Sequence, residues 1–143
     1  MTGTSLDACD MAILETDGET ISAFGPAGDR KLTEAVRDIA LAASREALQW
    51  TRGTPPPAIF EAAALAVARE HFEAAEGFLA EHGLTWAQID LIGMHGQTVL
   101  HERPREGRVG RTVQLGDAQW LANATGVPVA HDFRTADVAA GGE

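Results

Sequence analysis

Four short stretches hold the residues best suited to chemistry. Gly3-Thr4-Ser5-Leu6-Asp7 brings a glycine, two hydroxyls and a carboxylate into five positions. Glycine lets a backbone approach a phosphate, the hydroxyls can donate hydrogen bonds to its oxygens, and Asp7 could hold a metal ion or its waters. An ordinary turn uses the same residue types. The stretch is not a Walker loop, because no Gly-Lys-Ser/Thr follows. His95-Gly96-Gln97-Thr98 offers an imidazole, a flexible backbone position, an amide and a hydroxyl, a set suited to a polyhydroxylated ligand. The plain alternative is a buried bend in which His95 satisfies backbone groups. Asp132-Phe133-Arg134 with Asp137 provides an Arg fork for a carboxylate and acids that accept hydroxyls. Locally, Asp132 could instead cap a short helix while Arg134 pairs with Asp137. Gln114-Leu115-Gly116-Asp117 is the fourth stretch.

Other reactive residue types have duller expectations. His71 and His82 fall in a long helical pattern, where helix-end or surface roles are expected, and His101 reads as a surface histidine. No His/Cys/Asp set has zinc spacing. Cys9 has no evident base nearby and reads as a small core residue. Trp50, Trp86 and Trp120 are expected core or interface anchors.

These groups need elements to position them. Met11 to Glu15 and Thr20 to Phe24 predict a β-hairpin across Asp17-Gly18. From Lys31 to Trp50, Leu32, Val36, Ile39, Ala43, Ala47 and Trp50 recur at helical steps. Thr54-Pro55-Pro56-Pro57 breaks that helix. A second helix runs from about Ala58 to His82, with Phe60, Ala64, Val67, Ala75, Phe78 and Leu79 as its buried stripe and Gly83 past its end. Thr85-Trp86-Ala87-Gln88 has capping-box spacing ahead of a buried strand, Ile89 to Met94. Thr112 to Leu115 is a further strand, Asp117 caps a helix from Ala118 to Thr125 that Gly126 stops, and Val127 to His131 is the last strand. Hairpin, helices, then strands alternating with helices predict an α/β layer. The candidate groups sit at strand ends, where open α/β sheets bind ligands.

The chain has 143 residues and 45% hydrophobic residues, which predicts one domain without an interdomain linker. A chain this long can bury roughly 68% of its unfolded surface, enough for a core without disulfides, and one Cys cannot make one. Eleven Lys+Arg against 21 Asp+Glu give a net charge of −10. That charge repels phosphate backbones, and the arginines between 103 and 111 are interrupted by Glu106, so nucleic acid is not an expected partner. No run approaches the ~18 to 20 apolar residues of a membrane span, and no secretory signal layout opens the chain. The cytosol is the simplest expected location.

Met1-Thr-Gly-Thr-Ser-Leu-Asp-Ala-Cys-Asp10, His95-Gly-Gln-Thr98, Thr112-Val-Gln-Leu-Gly-Asp117 and Asp132-Phe-Arg-Thr-Ala-Asp-Val-Ala-Ala-Gly-Gly142 together resemble the anhydro-N-acetylmuramic acid kinase family, in order and over nearly the whole chain. The resemblance implies the actin-like ATPase and sugar kinase superfamily, with two ribonuclease H-like lobes and ATP between them. It implies use of ATP with Mg2+ on 1,6-anhydro-N-acetylmuramic acid, in recycling of peptidoglycan. Carried over, Gly3, Thr4, Ser5, Leu6, Asp7 and Asp10 belong to the phosphate-binding loop, with Asp7 near the metal. His95, Gln97, Asp132, Arg134 and Asp137 lie on the sugar side, with Arg134 a partner for the lactyl carboxylate.

Three departures qualify the match. Ala8 stands where the family has Gly, which would crowd a backbone needing a positive angle or close phosphate approach. The strand that normally precedes the loop is missing. The sequence stops at Glu143, before the Asp-Thr-Gly-Pro-Gly segment with the catalytic Asp, the second phosphate motif and the adenosine motif. Residues 1–143 are therefore expected to form an incomplete N-terminal lobe, inactive alone, with self-association or a domain-swapped dimer as one outcome of its uncovered apolar surface. The competing expectation is a non-catalytic α/β module that binds a sugar or nucleotide, or an interaction domain completed by a partner chain.

Overall fold

The computed structural model describes Thr2 and residues 5–142. Strands β1 (Ala8–Thr16) and β2 (Ile21–Lys31) form the antiparallel hairpin that alternation predicts, but both run longer. Asp17 closes the turn: its Oδ1 accepts from the backbone N–H of Glu19 at 2.9 Å and of Thr20 at 2.7 Å, and Gly18 takes φ +94°. β2 continues past Phe24 through Gly25 and Pro26. Two features permit this. β2 pairs only with β1 among the described residues, so the missing proline N–H breaks no ladder on the outer side. The register also slips there, Ala12 facing Ala27 but Leu14 facing Phe24, so that β2 carries one extra residue as a bulge.

Thr33 caps α1 (Glu34–Gln49), its Oγ1 accepting from Val36 N at 3.4 Å. Glu70 of α2 (Ile59–Glu81) accepts from Thr33 N at 2.8 Å and Thr33 Oγ1 at 3.0 Å, which ties the start of one helix to the flank of the other. Ala40, Ala43 and Ala47 of α1 and Ala63 and Ala68 of α2 are fully buried. Such small side chains let two helices approach closely. Between them, Phe60, Val67, Phe78 and Leu79 each bury a side chain worth about 1.5–3 kcal/mol.

The second helix corrects one expectation. His71 is only 7% exposed, not a surface or helix-end residue. It lies four positions after Val67 and three before Ala74, on the stripe that faces the core. Its Nδ1 donates to Val67 O at 2.7 Å, and burial pushes its pKa below the ordinary histidine value. His82 does end the helix, with Nδ1 on Phe78 O at 2.8 Å.

A single helical turn, Trp86–Gln88, carries the capping box of Thr85 and Gln88 and shortens the strand expected after it. β3 is only Ile92–Met94, because Ile89 N–H is spent on Trp86 O and Leu91 is 58% exposed. β4 (Gln97–Glu102) was not expected as a strand. It pairs antiparallel with β5 (Arg111–Leu115) and buries Val99 and Leu100. α3 (Ala118–Thr125) starts at Asp117, whose Oδ1 accepts from Trp120 N at 2.8 Å, and stops at Gly126 with φ +72°. β6 (Val129–His131) follows Pro128 and pairs parallel with β3, and the short α4 (Thr135–Ala139) comes last.

The expected α/β composition is present, yet the strands form three separate pairs, β1-β2, β3-β6 and β4-β5. Three buried clusters hold them together. Ala43, Ala47, Phe60 and Ala63 pack with Val99, Leu100 and Leu115. Leu6, Cys9, Leu32, Ala40 and Ala74 join the hairpin to the helices, and Cys9 is the small core residue expected. Met94, Ala118 and Leu121 pack with Phe72, Trp120 and Val129. Helix α2 contributes to all three, so it is the spine of the molecule. Among the described residues no helix is long and apolar enough to cross a membrane.

Candidate functional site

Parallel pairing of β3 with β6 sets Met94 opposite His131, so the next residues, His95 and Asp132, leave the sheet side by side. The turn after β5 meets them from the third direction. His95, Gly96, Gln114, Gly116, His131 and Asp132 line a crevice of about 30 Å³. It adjoins a cavity of about 560 Å³ lined by Glu61, Asp117 and Gln119, and Gly116 and His131 border both. That larger volume falls in the range of small-molecule sites.

The backbone of this site is specialised. Gly96 has φ +70°, and a Cβ there would stand 2.5 Å from Leu115 O, so glycine is required both for conformation and for space. A Cβ on Gly116 would stand 2.9 Å from Met94 Cε. Among the described residues, the non-glycine residues with positive φ are Leu6 at +54° and Asp132 at +56°. Each sits in a candidate ligand loop, and such strain costs on the order of 1–3 kcal/mol. Ala8, by contrast, lies in β1 opposite Lys31 and takes no positive angle, so the conformational crowding expected from the missing glycine does not arise there.

The polar side chains divide between the crevice and the interior. His95 Nδ1 contacts Gly96 O at 3.0 Å. Gln114 Nε2 donates to Thr112 Oγ1 at 2.7 Å and Thr98 Oγ1 at 3.2 Å, which leaves its Oε1 a buried acceptor without a partner among the described residues. A ligand hydroxyl could supply the missing donor. Asp132 Oδ1 accepts from Thr135 N at 3.3 Å, the local contact foreseen for a helix start, while its carboxylate remains exposed. Gln97 is 2% exposed and points away from the crevice, donating to Thr98 O at 3.2 Å. Arg134 stands at the start of α4 and Asp137 lies within it, and neither lines the crevice.

The loop before β1 reaches the same region. Thr2 is buried and donates from Oγ1 to Gly96 O at 3.1 Å. Ser5 Oγ donates to Asp7 Oδ1 at 2.5 Å, and Ala8 N donates to the same oxygen at 2.9 Å. The Ser5 hydroxyl first, then the backbone amides of Asp7 and Ala8, hold the exposed Asp7 carboxyl below the usual range. Asp7 is thus an ionised, solvent-facing carboxylate, and Asp10 is exposed three residues further on. Mg2+ commonly takes one or two carboxylates together with phosphate oxygens, and an ionised carboxylate such as Asp7 has that donor chemistry. No group of three or more His, Cys, Asp or Glu among the described residues could hold a metal alone. Gly3 and Thr4 lie outside the described residues.

Three polar site residues, Glu61, Gln119 and His131, had not been singled out from sequence. His131 carries the strand-end signal, as the last residue of β6 before Asp132, whereas Glu61 comes from the start of α2 and has no local signal. An apolar cavity of about 380 Å³ lies between β1 and β3 and shares Met94 with the crevice.

Comparison with known proteins gives the family. The sequence model of the family described as anhydro-N-acetylmuramic acid kinase matches residues 1–143. The chain is 73% identical over 143 residues to the anhydro-N-acetylmuramic acid kinase of Phenylobacterium zucineum, covering 100% of this chain and 39% of that protein. It is 68% identical to the Caulobacter vibrioides protein of the same name and 50% identical to that of Nitrobacter winogradskyi, covering 100% of this chain and 38% of each relative. The chain therefore spans about 39% of the length of the curated relatives it matches.

Proposed function

This chain belongs to the anhydro-N-acetylmuramic acid kinase family, and from that premise we propose that the whole protein phosphorylates 1,6-anhydro-N-acetylmuramic acid from ATP. Water opens the anhydro ring and the 6-oxygen receives the phosphoryl group, a step of peptidoglycan recycling in the cytoplasm. The 143 residues are taken as part of a ribonuclease H-like lobe of the actin-like ATPase and sugar kinase superfamily, facing a second lobe. The observation that carries this reading is the hydrogen bond from Thr2 to Gly96, which holds the phosphate-type loop against the turn that presents His95.

Each group has a task on this reading. The stretch from Gly3 to Asp10, which runs into the start of β1, serves the phosphates, and Asp7, kept ionised by Ser5 and its neighbouring amides, would hold Mg2+ or its waters. Magnesium, when bound, neutralises charge on the phosphate oxygens. His95, the open carbonyl of Gln114 and the Asp132 carboxylate hold sugar hydroxyls at the crevice. Arg134 reaches the lactyl carboxylate and Asp137 stays on the sugar side. Gln97, being buried, acts by shaping the His95 turn. Phosphoryl transfer depends on positioning and charge from both sides of a cleft, so these residues without a second lobe should transfer little phosphate.

Isothermal titration calorimetry of the chain with anhydro-N-acetylmuramic acid, and separately with Mg-ATP, tests the assignment. Sugar binding that is lost in Arg134→Ala and Asp132→Asn supports it. A folded chain that binds the sugar equally well with and without those side chains overturns the sugar-side roles.

A further inference from the structure

The far end of the β4-β5 hairpin collects positive charge on a chain whose net charge is −10. A cavity of about 360 Å³ opens there, lined by His101, Glu102, Arg103, Arg105, Arg108 and Val109. It shares no residue with the crevice at His95 and Gln114. The length of β4, about 20 Å, separates the two.

Backbone contacts fix the shape of this tip. Arg105 N donates to Arg108 O at 2.9 Å and Arg108 N to Arg105 O at 2.8 Å, an antiparallel bridge that closes the turn at Glu106-Gly107. Arg52, just past α1, donates from Nη2 to Val109 O at 2.9 Å and Gly110 O at 3.1 Å. The guanidinium groups are therefore carried on an ordered frame.

Their charges are not cancelled. Residues directly opposite in an antiparallel pair share a face, and like charges so placed repel. Arg105 and Arg108 are such a pair, and both reach the cavity together with Arg103. The carboxylate among them is Glu102, and it is already engaged. Arg111 grips both of its oxygens at 3.1 and 3.2 Å, while Arg108 and Arg52 stand at 3.5 and 3.8 Å from one of them. Among the described residues neither Arg103 nor Arg105 forms an ion pair. Glu106, which interrupts the arginines along the sequence, does not line the cavity. An anion between Arg105 and Arg108 would relieve their repulsion and receive hydrogen bonds from both.

We propose that this cavity binds the phosphate dianion of a small molecule, gripped by Arg105 and Arg108 with Arg103 beside them. Guanidinium forks match phosphate oxygens two at a time. The volume is that of a small-molecule site, and Val109 gives an organic portion an apolar wall. The acidic remainder of the chain repels a long phosphate backbone, which favours a small ligand over nucleic acid. The proposal rests on the hairpin tip and does not depend on the kinase reading.

Glucose 6-phosphate and inorganic phosphate, each titrated onto isotope-labelled chain at constant ionic strength and followed by backbone amide NMR shifts, test this. Saturable shifts centred on residues 103–109 are expected. Tighter binding of the sugar phosphate marks a site for phosphate monoesters, and equal binding marks one for free phosphate. Arg105→Gln combined with Arg108→Gln should weaken the affinity by about tenfold or more. Glu102→Gln, which removes the competing carboxylate, should tighten it by about threefold, a gain that a purely structural Glu102 would not give. If the double variant fails to fold, Arg103→Gln and Glu102→Gln carry the same test in opposite directions. No saturable shift in residues 103–109, shifts confined to the loop at Asp7 or the crevice at His95, or an affinity unchanged by these substitutions overturns the proposal. A single-stranded oligonucleotide that binds the same amides more tightly than either small ligand also overturns it, in favour of nucleic acid.

Discussion

Thr2 Oγ1 donates to the carbonyl of Gly96 at 3.1 Å, joining two residues 94 positions apart in a buried setting. The bond crosses from the loop that opens the chain to the turn that carries His95. It makes one site of two sequence motifs.

Removing that bond tests its weight. Thr2→Val keeps the shape and deletes the hydroxyl. Because His95 Nδ1 also contacts Gly96 O at 3.0 Å, the carbonyl keeps one partner. The expected cost is therefore about 1 kcal/mol, not the larger penalty of an orphaned acceptor. Thermal unfolding followed by circular dichroism should show a Tm lower by about 4 °C in Thr2→Val and unchanged in Thr2→Ser.

Two glycines with nearly the same angle should respond differently to alanine. Gly126 has φ +72° with nothing near the position of an added Cβ, so Gly126→Ala should cost about 1 kcal/mol from the backbone alone. Gly96 has φ +70° and Leu115 O in the way, so Gly96→Ala should cost about 3 kcal/mol or more. Urea denaturation of the two variants checks the gap between them; equal midpoints would refute the steric account.

Stability should fall as the medium turns mildly acidic, and His71 is the reason. Burial lowers its folded pKa, so below the ordinary histidine value near 6.5 the unfolded chain takes up a proton that the folded chain resists. Stability then rises with pH across the interval between the two pKa values, by at most about 1.4 kcal/mol per pH unit. Tm measured from pH 7.5 down to about 5.5 should decline, and His71→Leu should flatten that decline. A parallel decline in both proteins would assign the effect elsewhere.

Arg111 should not tolerate lysine. Its guanidinium donates to both oxygens of Glu102, at 3.1 and 3.2 Å, and to Trp50 O at 3.2 Å, while it lies 4.7 Å from the Trp50 ring centroid. An ammonium cannot make the fork and the stack together. Arg111→Lys should lower stability by about 1–2 kcal/mol and red-shift the Trp50 emission. Glu102→Gln, which keeps a neutral acceptor, should cost less, because Glu102 is more than a third exposed.

Much of this protein was legible along the sequence where signals are local. Asp117 as a cap, Gly126 as a stop, the Thr85 and Gln88 box and the Asp17-Gly18 turn each act on backbone groups within a few residues, and all are found as predicted; Thr33, which caps α1, was not singled out. The spacing of apolar residues likewise located α1, α2 and the hairpin. The four motifs were sufficient to identify the family, because residue type and order survive without knowledge of contacts.

The tertiary structure decided what depends on partners far along the chain. β4 reads as polar sequence until β5 supplies its hydrogen bonds, and β2 passes Pro26 only because its outer edge needs no donor. His71 is buried because the hairpin and β3 cover that face of α2, a fact absent from the helix itself. Of the sugar-side candidates, His95 and Asp132 meet because β3 and β6 run parallel, while the same packing turns Gln97 inward and brings in His131. A cap or turn satisfies backbone groups it can reach along the chain. Strand pairing and burial satisfy groups with whatever the fold brings near, so only the assembled molecule settles them.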